Sequence, residues 1–583
     1  MVWLLQGHHV VMGQGRGSRD ATLLTVLIVL ACLQIAWGVG RLLGGDWFPQ
    51  GDEAIVALHT HDVFSAHPPL LGMRSTSDLS NPGVWAHHPG PMQFYLLAVP
   101  YAATGFAPWG LVVGSALIAI ALVAIAVVAG FRAGGWPGAG CAAGVAAILE
   151  YFYGANLARP LNAWPPVLGL LAVLMLAWRL QRGDRRALPL YVVCASFTAQ
   201  CHIGFVPVVL VLSVFLAVVA LIRWWPARGW SGPRHHPRPW LVAGGLLVLC
   251  WVPPIIDVFV TAPNNVGELA RLVAGSAAES PLGWGGGAKH VFLMLVPVSV
   301  FPTNLSQATL LAKGDSIFTA PAANVAVFVA CALVAIAVLP ALWSARRTLL
   351  RPRRRSDPAL PDLVVITLVS CVALVWATAT LTRSRIIYSD LLIAAPLCLT
   401  AAAVWQVARF VGERVPAIRP RVPHAVPALV VSAVCVVAAV AILPDSQLLH
   451  LLGGRRSDWR TARSVSTPVA EAIAQRAPHA PVRVECHGLA CMASIAPAIS
   501  TQLAADGHQV YFDKAWPKPE DDDFRRLRHA PRDAVTVVIR EKAEGTAWPS
   551  GAGPAAGVLW SKEWRFSYYG HREDMAVSIL PPR

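Results

Sequence analysis

ATLLTVLIVLACLQIAWGVGRLL, from Ala21 to Leu43, is apolar throughout except for Thr22, Thr25, Gln34 and Arg41. A helix rises about 1.5 Å per residue, so this stretch is long enough to cross a hydrocarbon core about 30 Å thick. Lipid gives the backbone no hydrogen-bond partners, so the segment must cross as a helix. It is long for the core of a signal peptide and has no clear A-x-A exit, so it is expected to be retained as the first span. Blocks of the same kind recur along the chain, for example AVFVACALVAIAVLPALW from Ala326 to Trp343.

The composition agrees with this reading. The chain is 55% hydrophobic and only 14% charged, whereas a soluble globular chain carries roughly 25% charged residues. Further spans are expected near 107–131, 136–153, 164–180, 188–202, 203–224, 240–260, 323–345, 361–382, 386–411 and 425–444. The block from Leu188 to Trp225 is too long for one helix, and AQCHIGF (199–205) is its expected hairpin tip.

A net charge of +15 in a soluble protein would suggest nucleic acid. Here the arginines sort by loop, and no nucleic-acid partner is expected. Arg16 and Arg19, Arg182 to Arg186, Arg223 to Arg238, Arg346 to Arg355 and Arg414 to Arg421 fall on alternate connections. The 45–91 loop instead holds Asp46, Asp52, Glu53, Asp62 and Asp78 against Arg74 alone. The positive-inside rule then predicts a cytoplasmic N-terminus and an outer C-terminus. The expected fold class is a polytopic α-helical membrane protein of the plasma membrane, with about eleven spans. The apolar segment 290–301 is too short to span and would invert this scheme, so it is expected to be re-entrant or interfacial within an outer loop of 261–322.

The expected organisation is a cytoplasmic tail (1–20), a transmembrane domain (21–444) and an extracytoplasmic domain (445–583). In the last, PVRVEC, HQVYFD, AVTVVIRE and MAVSIL read as strands, and TPVAEAIAQRA and MASIAPAISTQLAADG as amphipathic helices. That alternation predicts a small α/β unit with a mixed or parallel sheet. Cys486 and Cys491 are its two cysteines, and an oxidising compartment would let them form a disulfide.

The chemistry is expected in the first outer loop: GDEAIVALHTHD (51–62), AHPPLLG (66–72) and WAHHPGPMQFYLLA (85–98). Two adjacent carboxylates, Asp52 and Glu53, stand just beyond the first span, and histidines follow at 59, 61, 67, 87 and 88. Carboxylate plus imidazole is a workable ligand set for a divalent metal, but no spacing here fixes a geometry, and no metal is assigned.

This loop resembles that of the GT-C class of integral-membrane glycosyltransferases. More closely, it is similar to a group of uncharacterised actinobacterial membrane proteins with a GD...HPGP...FY pattern. That group also carries a Q-x-H hairpin, matched by Gln200 and His202, and a W-x-P-P-x-x-D helix end, matched by Trp251, Pro253, Pro254 and Asp257. The resemblance implies a polyprenyl-phosphate sugar donor, a cell-envelope glycan, glycolipid or protein acceptor, and a catalytic base at Asp52, with Glu53 able to share or take the role.

Transfer of that kind needs a base for the acceptor hydroxyl and cations for the departing phosphate. Arg159, Arg383 and Arg385 run against the positive-inside trend and are the candidate phosphate ligands; His87, His88 and Asp257 are further substrate-binding candidates. Trp85, Trp164, Trp284 and Tyr388 offer rings for stacking on a sugar. Against these stand blander roles: a helix cap for Asp52, a rigid turn for His88-Pro89-Gly90-Pro91, loop orientation for Asp257, and helix–helix contacts for Gln200 and His202. The competing functions are a transporter or flippase and a non-catalytic envelope-assembly scaffold. No obvious internal repeat and few mid-helix charges speak against transport.

Overall fold

The computed structural model describes residues 14–75, 83–224, 237–274, 280–295, 334–335, 338–339, 359–382, 387–414, 456–488, 494–513, 523–543, 557–568 and 571–582. Among these, five helices are long and apolar enough to cross a membrane: Arg19–Gly44, Pro108–Ala158, Ile203–Ile222, Arg238–Val260 and Ala359–Ala379. Shorter apolar helices, Pro165–Gln181 and Ala394–Gln406, lie among them. The expected spans at 323–345 (apart from two short pieces) and 425–444 lie outside the described residues.

Helix α1 (Gln14–Gly44) has 31 residues, a length of about 46 Å. The chain then enters α2 (Asp52–Asp62), α3 (Met92–Ala103) and α4 (Pro108–Tyr153). Helix α4 is really two helices, as the sequence predicts. Gly135 adopts φ 66° and ψ −153°, a conformation that suits glycine alone. A Cβ on Gly130 would lie 2.5 Å from the Gly138 carbonyl, and one on Gly138 2.2 Å from the Gly130 carbonyl. Eight residues of continuous helix would hold these apart by about 12 Å, so the chain folds back on itself, with glycines at the contact.

Helix α5 (Pro165–Gln181) starts on two prolines, which suit a first turn whose N–H groups have no partner. It is buried on every side from Pro165 to Trp178, as an all-apolar helix should be. The Trp178 indole donates to the Ala359 carbonyl at 3.0 Å. Helices α6 (Leu188–Cys201) and α7 (Val206–Trp224) form the expected hairpin, turning at His202–Phe205. Helix α8 (Arg238–Val260) is mostly exposed, with apolar side chains such as Leu241 and Phe259 outward.

The 261–322 loop contributes α9 (Asn265–Ala274) and α10 (Gly283–Met294). Helix α10 has 12 residues, about 18 Å, and residues 296–301 of the segment expected to be re-entrant lie outside the described residues. The helix lies close against α11 (Ala359–Ala379): a Cβ on Gly287 would be 2.8 Å from the Ala379 nitrogen and the Val375 carbonyl. After a single turn, Ile387–Asp390, α12 covers Ala394–Arg414, starting later than the expected 386.

The C-terminal domain contains α13 (Arg456–Arg476), α14 (Ala496–Ala505) and strands β1 (Val482–His487), β2 (Val510–Phe512), β3 (Val535–Ala543), β4 (Trp560–Tyr568) and β5 (His571–Leu580). The sheet order is β2-β1-β3-β5-β4. β1 is parallel to β2 and β3, while β5 is antiparallel to β3 and β4. The sheet is therefore mixed. β4 is missing from the sequence reading because Lys562, Glu563 and Arg565 break its apolar pattern. Charge of that kind is how an edge strand avoids further pairing.

Candidate active site around the first loop helix

Helix α2 follows Gly51, whose φ of 53° and ψ of −130° bend the chain into its first turn. Its first turn carries Asp52 and Glu53, where the helix dipole favours negative charge. The two acids point to different surroundings. Asp52 is exposed, whereas Glu53 is buried together with every residue to Thr60.

Glu53 Oε1 accepts from Arg159 Nε at 2.7 Å, with the two side chains 3% and 0% exposed. Arg159 follows the 3-10 turn Gly154–Ala158 and also donates to Asn156 Oδ1 at 3.0 Å. Its guanidinium carbon lies 5.0 Å from the centre of the Trp459 ring, on α13. Burial pushes the Glu53 carboxyl up, against the downward pull of Arg159 and the Trp47 indole. Arg159 is thus committed to a buried pair. Arg383 and Arg385 lie outside the described residues.

The other end of α2 is held by the C-terminal domain. Arg525 grips Asp62 with two bonds, Nε–Oδ2 at 2.9 Å and NH2–Oδ1, and also donates to the Val510 carbonyl at 3.2 Å. Between these ends, Thr501 on α14 donates to the Ala54 carbonyl at 2.8 Å, and the Gly51 amide donates to the Ser494 carbonyl at 3.2 Å. The domain and the loop helix are one packed unit.

The HPGP stretch sits against the α6–α7 hairpin. His88 Nδ1 accepts from the Ile203 amide at 3.0 Å, and its ring stacks on His202 at 4.6 Å between centroids. That bond requires the neutral ring, and burial, followed by the His202 and His87 rings, holds His88 well below the usual histidine range. Gly90 lies on Gln200, where a Cβ would be 2.2 Å from Oε1. Gln200 in turn donates to the Cys250 carbonyl at 2.7 Å and accepts from the Met92 amide at 3.3 Å.

Asp257 ties the next loop to this one. It accepts from the Asn265 amide at 3.1 Å, and Asn265 accepts from the His87 amide at 2.8 Å. Glu268 accepts from the Trp85 amide at 2.7 Å and pairs with Arg271 at 2.7 Å. The residues quoted as HPGP, Q-x-H and W-x-P-P-x-x-D are therefore neighbours in space, while the GD pair sits at the other end of α2 against the C-terminal domain. Asn265, Glu268, Arg525 and Trp459 join them and were not singled out from sequence, since each is recognisable only by a partner far along the chain. A second buried pair, His290 with Asp390 at 2.7 Å, was likewise missed; the Tyr153 hydroxyl donates to the Asp390 carbonyl at 2.6 Å.

A cavity of about 890 Å³ opens between residues 66–72 and 83–87 of the loop, the 257–271 segment and the C-terminal domain. His59, His87 and Asp257 line one side, and Tyr511, Asp523, Phe524 and His529 the other. Neither Asp52 nor Glu53 is in its wall. Asp52 nevertheless shares a face of α2 with His59: seven residues are close to two full turns, a separation of about 10 Å along the axis. Glu53 is turned away toward Arg159. Among the described residues no three His, Cys, Asp or Glu side chains converge in a metal-holding arrangement. Cys486 is in a disulfide, and Cys491 lies outside the described residues.

No family model matches the chain, and no curated protein matches it. Among solved structures it is similar to the crystal structure of ArnT from Cupriavidus metallidurans bound to undecaprenyl phosphate. That likeness covers 97% of this chain and 99% of the other, at 13% identity and a TM-score of 0.47, and no residue role is carried across it.

Proposed function

We propose that the chain is an integral-membrane glycosyltransferase that moves a sugar from a polyprenyl-phosphate donor to a cell-envelope acceptor. The reaction takes place at the membrane face bearing the C-terminal domain, which is the outer face if the arginine asymmetry sets the topology. The observation that carries the reading is α2. The helix that follows the first apolar helix presents an exposed carboxylate in its first turn, lends His59 to the wall of a large cavity, and is braced from both sides.

Asp52 is the general base in this reading. It takes the proton of an acceptor hydroxyl as that oxygen attacks the anomeric carbon. The bond from that carbon to the phosphate oxygen breaks, and polyprenyl phosphate leaves with the electron pair. Base catalysis needs a carboxylate within reach of the acceptor, and exposed Asp52 meets that need better than Glu53, sealed against Arg159. Glu53 and Arg159 then position α2 rather than touch substrate. Arg383 and Arg385 remain the proposed phosphate ligands, and Cys486–Cys491 the proposed disulfide.

The test is turnover of a labelled polyprenyl-phosphate sugar by the full chain in proteoliposomes. Release of polyprenyl phosphate with transfer of label to an envelope extract supports the proposal. Movement of intact donor across the bilayer without cleavage would instead make the protein a transporter.

A further inference from the structure

We infer that the cavity between the first loop and the C-terminal domain receives an uncharged, hydroxyl-rich glycan, and so is the site of the acceptor, not of the phosphorylated donor. As a statement about the acceptor it rests on the proposed reaction; as a statement about what binds there it does not. Among the described residues the lining carries three carboxylates, Asp257, Glu268 and Asp523, against one guanidinium, Arg271. Arg271 is paired with Glu268, and Asp523 with Arg528 beside the lining, so the uncompensated charge is the Asp257 carboxylate. A phosphate brought here would meet an excess of like charge in partly desolvated surroundings, where repulsion is strongest.

An uncharged glycan meets no such penalty. Its hydroxyls can donate to carboxylates and exchange hydrogen bonds with imidazoles and the Tyr511 phenol. Its C–H faces can lie on a flat ring, and Tyr511 lines the space, with Trp85 and Phe524 beside it, each already carrying a neighbour on one face, Arg74 and His67. A volume of about 890 Å³ is near the upper end for small-molecule sites and leaves room for a short oligosaccharide.

Position supports the assignment. The cavity includes His59, which shares a face of α2 with Asp52. A glycan held here extends along that face toward the proposed base. One wall belongs to the C-terminal domain, and His67 of the loop stacks on Phe524 of the domain at 4.4 Å between centroids and 16° between planes. The domain thus supplies one wall of a binding site and does more than cap the bundle.

The experiment is calorimetric titration of the full chain in lipid nanodiscs with a panel of uncharged tri- and tetrasaccharides. Each is paired with the same sugar carrying a phosphate. At least one uncharged member should bind, and its phosphorylated counterpart should bind at least about tenfold more weakly. Tyr511→Ala should weaken the uncharged ligand about tenfold, while Tyr511→Phe, which keeps the ring, should hold it within about threefold. Asp523→Lys should narrow the gap between each sugar and its phosphate. Failure of every uncharged member to bind at millimolar concentration overturns the inference. So does equal or tighter binding of the phosphorylated sugars, or insensitivity to Tyr511→Ala. Glycan binding without donor turnover would sink the transferase reading alone; donor turnover with phosphate-selective binding here would sink this inference alone.

Discussion

The two ends of α2 are fastened in different ways. At the first turn Glu53 pairs with Arg159 of the helical bundle, both side chains at 3% exposure or less. At the last turn Asp62 pairs with Arg525 of the C-terminal domain, whose side chain is 9% exposed. One pair anchors the helix in the bundle, and the other seats the domain on the helix. Two buried ion pairs are costly to desolvate and are weak evidence for stability as such. What they give is placement, because a charge buried at each end leaves α2 only one position in which both are neutralised.

Breaking the first pair should have the largest effect. Arg159→Ala leaves Glu53 buried and uncompensated, and is expected to cost about 3–5 kcal/mol in thermal or denaturant unfolding of the detergent-solubilised chain. The double variant Glu53→Leu/Arg159→Met should recover most of that loss. If it is as unstable as the single variant, the pair does more than neutralise itself.

Arg525→Ala should cost less, about 2–3 kcal/mol, because water can reach that site. Its signature should be local: faster protease cleavage between the bundle and the C-terminal domain, with the bundle intact. Equal losses from both variants, or global unfolding from Arg525→Ala, would erase the contrast between the two ends.

A smaller effect is expected in the loop that faces α2. A Cβ on Gly72 would lie 2.8 Å from the Gly90 carbonyl and 3.0 Å from the His88 carbonyl, so backbone must move. Gly72→Ala is expected to cost about 1–2 kcal/mol. Gly44→Ala, with nothing within 4 Å, is the matched control and should be near neutral.

The smallest effect is a pH dependence. His88 is held well below the ordinary histidine value in the folded chain, so below about pH 6.5 the unfolded state takes up a proton that the folded state refuses. Stability is therefore full above that pH and falls as pH drops toward the depressed folded value. Unfolding midpoints from pH 8 to 5 should show this slope, and His88→Ala should reduce it.

Much of the bundle was legible in the sequence, because lipid imposes a length and an apolarity that one sequence displays. The α4 break at Gly135 and the α6–α7 turn at His202 were visible as polar or glycine interruptions in apolar blocks. The site was legible only in its parts. Glu53 and Arg159 were both singled out, yet as base and phosphate ligand; that they pair across a separation of 106 residues has no local signature. Asp257 was read as a substrate or loop residue, and the structure uses it to hold Asn265 and through it His87. Tyr511 and Phe524 looked like ordinary soluble-domain residues, because nothing in a short strand or turn shows that it faces another domain.

The most direct test of the account compares Asp52→Asn with Glu53→Gln in donor cleavage by the reconstituted full chain. Asp52→Asn should fold with an unchanged unfolding midpoint and lose turnover by about 10²–10⁴-fold. Glu53→Gln should instead lower the midpoint, and its residual turnover should track the folded fraction. Full turnover in Asp52→Asn, or a well-folded Glu53→Gln with none, would contradict it.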